Sequence, residues 1–169
     1  MSPQERAAAR PHPNGGARGR VLALGVTVGL SLLGNGPCGP LPGGRLDGEV
    51  VDQTVHDWSF VDGFRHCQLE VRPDEPHSVT TYCFAAGAVL YVPAIMGDGK
   101  QWTKMAVAEP RARIRIGRRI YPVLLERVVD ATELRAAAEA GYRRQNGGED
   151  PPPEFERQAD RWYFRVTSR

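Results

Sequence analysis

The sequence predicts a mainly β domain, a barrel or sandwich with a few helices, preceded by a hydrophobic helix. Three observations predict it. From Glu49 onward apolar and polar residues alternate with the period of two that a half-buried strand imposes. The alternating runs are short and bounded by turn residues at Asp62-Gly63, Pro73-Asp-Glu-Pro76, Ala86-Gly87 and Gly117-Arg118. Only two stretches of this region carry helical signals.

Strands are expected at 49–56, 64–72, 77–84, 88–93, 111–117, 119–129 and 161–167. A short helix is expected over 99–108, ending before Glu109-Pro110 because the residue before proline is driven out of the helical region. A longer helix is expected over 131–144, with Asp130 as its N-cap and Glu133 completing a capping box. Leu134, Ala137, Ala138 and Tyr142 give that helix its apolar stripe. The run 146–153, rich in Gly, Asp and Pro, reads as a solvent loop. Together these elements make a domain over 49–169.

The remainder reads differently. Residues 1–20 are polar and rich in Arg, Pro, Gly and Ala, a composition that buries no core and predicts a disordered basic leader. Residues 21–34 carry no charge and form a signal or anchor segment. Residues 35–48 are a Pro/Gly linker. Residues 1–44 hold four Arg against one Glu, whereas residues 45–169 hold 18 basic and 19 acidic groups. The Arg excess sits on the N-terminal side of the apolar run, which predicts a cytoplasmic N-terminus and a domain on the outer side of the cell membrane. Export of a soluble domain is the alternative, and Cys38 is a candidate for lipidation. The near-neutral domain lacks the basic face that a nucleic-acid partner requires, so none is expected.

Chemistry-bearing residues are few. His56, His66 and His77 are scattered, and the sequence holds no G-x-S-x-G, no phosphate-loop motif and no H-E-x-x-H. No residue is assigned as catalytic and no metal site is expected. Arg111, Arg113 and Arg115 alternate with Ala112, Ile114 and Ile116, either as a phosphate-holding row or as the solvent face of an amphipathic strand. Cys67 and Cys83 flank the turn near position 75 and would face one another in a hairpin centred there. They read as a candidate disulfide or as two buried thiols. The run Leu90 to Trp102 passes from a strand through a glycine loop into a helix. Amides at Gly97 to Lys100 would point outward and bind an anion, Lys100 would add charge, and Trp102 would offer a flat surface. The same run also reads as a plain connection with Trp102 in the core.

Ser78-Val-Thr-Thr, Leu90-Tyr-Val-Pro-Ala, Gly99-Lys-Gln-Trp and the run Glu109 to Tyr121 resemble the FMN-binding split-barrel superfamily, which includes pyridoxamine 5'-phosphate oxidase-like proteins and deazaflavin-dependent nitroreductases. The resemblance implies a split β-barrel and a homodimer with the cofactor site between subunits. It also implies a cofactor phosphate lying against a strand pair and the loop before the short helix. By position this implicates Thr80, Ala94, Gly97, Gly99, Lys100, Trp102 and Lys104. The functional expectation is a membrane-tethered or exported binding or structural protein of the flavin-binding split-barrel type without redox activity, with FMN or a deazaflavin as the cofactor the resemblance implies; the alternative is a flavin- or deazaflavin-dependent oxidoreductase.

Overall fold

A computed structural model describes residues 41–169; the expectations for the leader, the apolar segment 21–34, the first part of the linker and Cys38 fall outside the described residues. The described chain is mainly β. Strands are β1 (Glu49–Val50), β2 (Cys67–Val71), β3 (His77–Thr81), β4 (Phe84–Ala86), β5 (Val89–Ala94), β6 (Arg111–Ile116), β7 (Arg119–Arg127) and β8 (Trp162–Ser168). The helices are α1 (Gln101–Ala108) and α2 (Ala131–Gln145). The sheet runs β3-β2-β6-β7-β8-β5-β4 with antiparallel neighbours throughout, and β1 joins β7 in parallel.

That order carries a geometric consequence. The two edge strands, β3 and β4, are separated in sequence only by Tyr82 and Cys83. Three residue steps of chain reach at most about 11 Å. A flat sheet of this width would hold its edges several times farther apart, because each strand adds about 4.8 Å. The sheet therefore curls into a half-barrel until its edges nearly meet. Its interior is filled by Leu69, Val71, Leu90, Val92, Ile114, Val123, Phe164 and Val166. A second, smaller core forms outside, where α2 covers Phe84, Tyr91 and Tyr163. Strand β5 is consequently apolar on both faces, with Leu90 and Val92 inward and Tyr91 under the helix.

Several boundaries differ from the sequence expectation. The first strand shrinks to two residues, and a 3-10 turn at Ser59–Gly63 takes over part of the chain that follows. The strand expected at 77–84 breaks at Tyr82–Cys83, where the chain turns from one sheet edge to the other. Asp130 caps α2 by accepting a hydrogen bond from the Glu133 amide at 2.8 Å. The reciprocal half of the capping box does not form, because the Glu133 carboxylate accepts from Arg165 at 3.0 Å and from the Tyr91 hydroxyl at 2.9 Å. Those contacts bolt α2 to β5 and β8. Burial, and after it the Glu133 carboxylate, raise the Tyr91 hydroxyl pKa to about 12, with the Arg165 charge opposing them. Cys67 lies opposite Thr81 rather than Cys83, so the expected facing pair is corrected; both cysteines are buried free thiols.

The outer face of the barrel is crossed by residues 43–51. Gly43 and Ser78 exchange two backbone hydrogen bonds of 2.8 Å, and the Val51 amide donates to Ile120 at 2.8 Å. Beneath this strap lies Glu70, which is fully buried. Arg113, directly opposite on β6, donates to both Glu70 oxygens at 3.1 Å, and the Leu46 amide donates to Oε2 at 2.5 Å. Arg115 donates to the Asp47 carbonyl at 2.9 Å, and Arg111 pairs with Glu109 and Asp74. The arginine row is thus the outer face of an amphipathic strand, and each guanidinium already holds a protein oxygen.

Glu70→Ala would leave the Arg113 guanidinium uncompensated and orphan the Leu46 amide, and should lower unfolding free energy by about 3 kcal/mol. Glu70→Gln keeps an acceptor for Leu46 and should cost less. Urea denaturation measures both; a loss below about 1 kcal/mol for the alanine variant would mean the clamp is not structural.

Candidate functional site

A cleft of about 530 Å³ opens beside the seam where the sheet edges approach. One wall is β3 with His77, Thr80 and Thr81, continued by Tyr82 at the corner. The opposite wall is the end of β5, with Pro93, Ala94 and Ile95. The cap and first turn of α1, Lys100, Gln101 and Trp102, close one end. Gln145 from the end of α2, Arg161 just before β8 and Pro42 of the strap complete it.

The sequence positions α1 by an abrupt change of direction after β5. Met96 adopts a left-handed conformation with φ 52°, unusual for a residue with a side chain. A 3-10 turn over Gly97–Gly99 follows, and Lys100 returns to extended backbone with no side-chain cap on α1. The first-turn amides of α1 therefore carry the unsatisfied donors and positive dipole end typical of a helix start, next to the Lys100 ammonium.

The glycine loop itself does something other than expected. The Gly97 amide donates to the Asp160 carbonyl at 2.9 Å, and the Gly99 amide donates to the Met96 carbonyl at 3.0 Å. Both are turned onto protein oxygens, and neither residue lines the cleft. The Gly97 carbonyl accepts from the Thr103 hydroxyl. Gly97 is glycine for packing: a Cβ there would stand 2.2 Å from Cγ of Trp162. The Arg127 guanidinium lies over that indole, 3.5 Å from the ring centroid.

Of the seven residues singled out by position, the cleft brings together Thr80, Ala94, Lys100 and Trp102. Lys104 is two positions past Trp102, hence about 200° around the helix. It faces a separate groove with Arg72, Asp74, Glu75, Glu109 and Arg111. Trp102 is 6% exposed and packs tilted against Phe164 with ring centroids 5.3 Å apart, so most of its ring belongs to the barrel core while part of it lines the cleft. Sequence reasoning missed Tyr82, Gln145 and Arg161 as cleft residues and treated His77 as an isolated histidine. No local motif marks them; they reach the cleft through the strand break, the C-terminus of α2 and the approach to β8.

The charge pattern separates this cleft from its neighbours. Among the described residues its walls carry Lys100, Arg161 and His77 and no carboxylate. The groove at α2 sets Asp62 and Glu139 against Arg143 and Arg144, and the Lys104 groove sets Asp74, Glu75 and Glu109 against its cations. Two cleft side chains also hold buried polar atoms without a partner, the Tyr82 hydroxyl and Nε of Arg161. Burial raises the Tyr82 pKa, opposed by the nearby Arg144 charge, so the hydroxyl stays protonated and able to donate at neutral pH.

No family model and no curated protein matches the sequence. Solved structures do. A conserved hypothetical protein from Mycobacterium tuberculosis is 17% identical with TM-score 0.51, over 65% of this chain and 76% of that one. A Listeria innocua protein assigned as a pyridoxamine 5'-phosphate oxidase is 14% identical with TM-score 0.49, over 64% of this chain and 86% of that one. An FAD-binding protein from Mesorhizobium loti is 18% identical with TM-score 0.46, over 64% and 84%. At this identity the likeness to the Mycobacterium tuberculosis protein shows a shared fold alone.

Gly97→Ala should destabilise the protein by about 2 kcal/mol or more, because the added methyl group has no room against Trp162. Gly99→Ala, with nothing closer than 4.0 Å, should change stability by less than about 0.5 kcal/mol. Thermal or urea unfolding of the pair measures the difference; equal values would remove the packing role of Gly97.

Proposed function

We propose that the cleft holds an aromatic cofactor carrying a phosphate, of the flavin type, and that the chain is a binding protein built on the split barrel. The observation that carries this reading is the charge asymmetry: cations, hydroxyls and an uncapped helix start surround a cleft that contains no carboxylate. Such a lining favours a phosphate and penalises neutral or cationic guests. The cleft's volume suits a small cofactor, since ligand sites run from about 300 to 1,000 Å³. Pro93, Ala94 and the edge of Trp102 supply apolar surface for a ring system. Lys100 and Arg161 would hold the phosphate charge, Thr80 and Thr81 would donate hydroxyl hydrogen bonds to it, and the unpartnered Tyr82 hydroxyl would orient the ring. A bound flavin would supply electron and hydride transfer.

An oxidoreductase is the second reading, favoured by the half-exposed Ile95 at the cleft mouth, which leaves an apolar approach for a second reactant. Consumption of reduced nicotinamide by FMN-loaded protein separates it from a binding protein. Homodimerisation, a tether at residues 21–34 with the domain outside the cell membrane, and lipidation of Cys38 belong to the same proposal. Their support is the resemblance, the uncharged run and the Arg excess preceding it. Among the described residues no helix is long and apolar enough to cross a membrane. Fractionation of the full chain against one lacking residues 1–34 tests the tether; membrane association of the shortened chain would remove it.

Titration with FMN, followed by tryptophan fluorescence and visible absorbance, should show saturable binding. Lys100→Ala and Arg161→Ala should each weaken it about tenfold, or roughly 1.4 kcal/mol. Lys104→Ala should leave it unchanged. Absence of saturable binding, or equal effects of the three substitutions, would sink the assignment.

A further inference from the structure

Cys67 and Cys83 sit at the corner where the chain passes between the two sheet edges. Cys67 opens β2, and its backbone partner on β3 is Thr81. Cys83 lies two residues further on, in the corner that carries the chain from the β3 edge to the β4 edge. At that corner the ladder stops: Tyr82 and Cys83 belong to no strand. The bend nevertheless turns Cys83 inward, where it is fully buried in the same core cluster as Cys67. Both cysteines belong to one buried cluster, and Cys83 stands two residues past the residue that faces Cys67. Thr81 and Tyr82, the residues immediately before Cys83, form part of the cleft wall.

We propose that Cys67 and Cys83 are a reversible redox pair whose disulfide staples the corner between the two sheet edges and fixes the adjoining cleft wall. The pairing differs from a cross-strand bridge between facing residues, because the bend and not the ladder brings the sulfurs together. This inference stands independently of the cofactor reading.

The oxidant is a thiol disulfide, RSSR. One cysteine thiolate attacks a sulfur of RSSR, forming a mixed disulfide and releasing RS⁻. The second thiolate attacks the cysteine sulfur of that mixed disulfide, forming the Cys67–Cys83 bond and releasing a second RS⁻. The two protons lost by the cysteines end on the two released thiols, and RSSR takes up two electrons. Burial pushes the Cys67 thiol well above its ordinary pKa, with the neighbouring Cys83 thiol adding to the effect. The closed native state is therefore unreactive, and exchange proceeds through local opening of the corner. A compartment rich in disulfide would drive the pair to the oxidised form, and a reducing one would keep it as thiols.

The test equilibrates the full-length chain with glutathione disulfide, with and without urea below the unfolding transition. Free thiols are then alkylated and peptides mapped by mass spectrometry. The expected result is a peptide pair joining Cys67 to Cys83, lighter by two hydrogen atoms, formed faster in urea and reversed by dithiothreitol. The oxidised chain should unfold on the order of 10 °C higher than the reduced one, since the link closes a loop of about 15 residues. Cys83→Ala and Cys67→Ala should each abolish that oxidant-dependent gain, whatever their own stability. Full alkylation of both cysteines after oxidant, glutathione adducts without a link, or a link to Cys38 would each overturn the proposal.

Discussion

One two-residue connection, between β3 and β4, governs the rest of the fold. Two residues join strands that occupy opposite edges of a seven-strand path, and the chain's limited reach forces the sheet to roll up. Once rolled, the inward faces of β2, β5, β6 and β8 meet, and the hydrophobic driving force has one interior to fill. The seam left by incomplete closure is the cleft. Barrel, core and cleft are therefore consequences of one chain-length constraint.

Electrostatics divides the two sides of this barrel. On the outer face, cations meet acceptors at each step of β6, and the buried Glu70 is satisfied by Arg113 and by the Leu46 amide of the crossing strap. A buried carboxylate with fewer partners would cost several kcal/mol, so strap and clamp depend on each other. At the seam the balance is left open. Lys100 and Arg161 face a space without carboxylates, and the Tyr82 hydroxyl and Nε of Arg161 lack protein partners. Buried polar atoms normally find a partner, so each exception calls for a physical account.

The sheet was legible from its period. Burial of Ala112, Ile114 and Ile116 with Arg111, Arg113 and Arg115 outward follows from alternation alone, and the Gly117 turn follows from its left-handed backbone, φ 62°. The short first strand was not legible, because Val51, Val55 and Trp58 pack into the core from irregular chain with no ladder to support them. The corner at Tyr82–Cys83 was invisible for the opposite reason: both residues suit a strand, and only sheet curvature breaks the run there. The site was half legible. Lys100 and Trp102 are adjacent to a glycine loop that any reader would mark, but the glycines serve the Trp162 contact and a carbonyl, not an anion. Arg161 comes from far along the chain, and its approach to Lys100 is a product of the β5–β8 pairing.

Pro42 stands on the rim of the cleft, one residue before the strap is pinned at Gly43. The polypeptide thus comes into the described fold beside the opening instead of on the far side of the barrel. Any group tethered through Pro42 shares the small volume in front of the opening, at a local concentration set by tether length rather than by bulk solution.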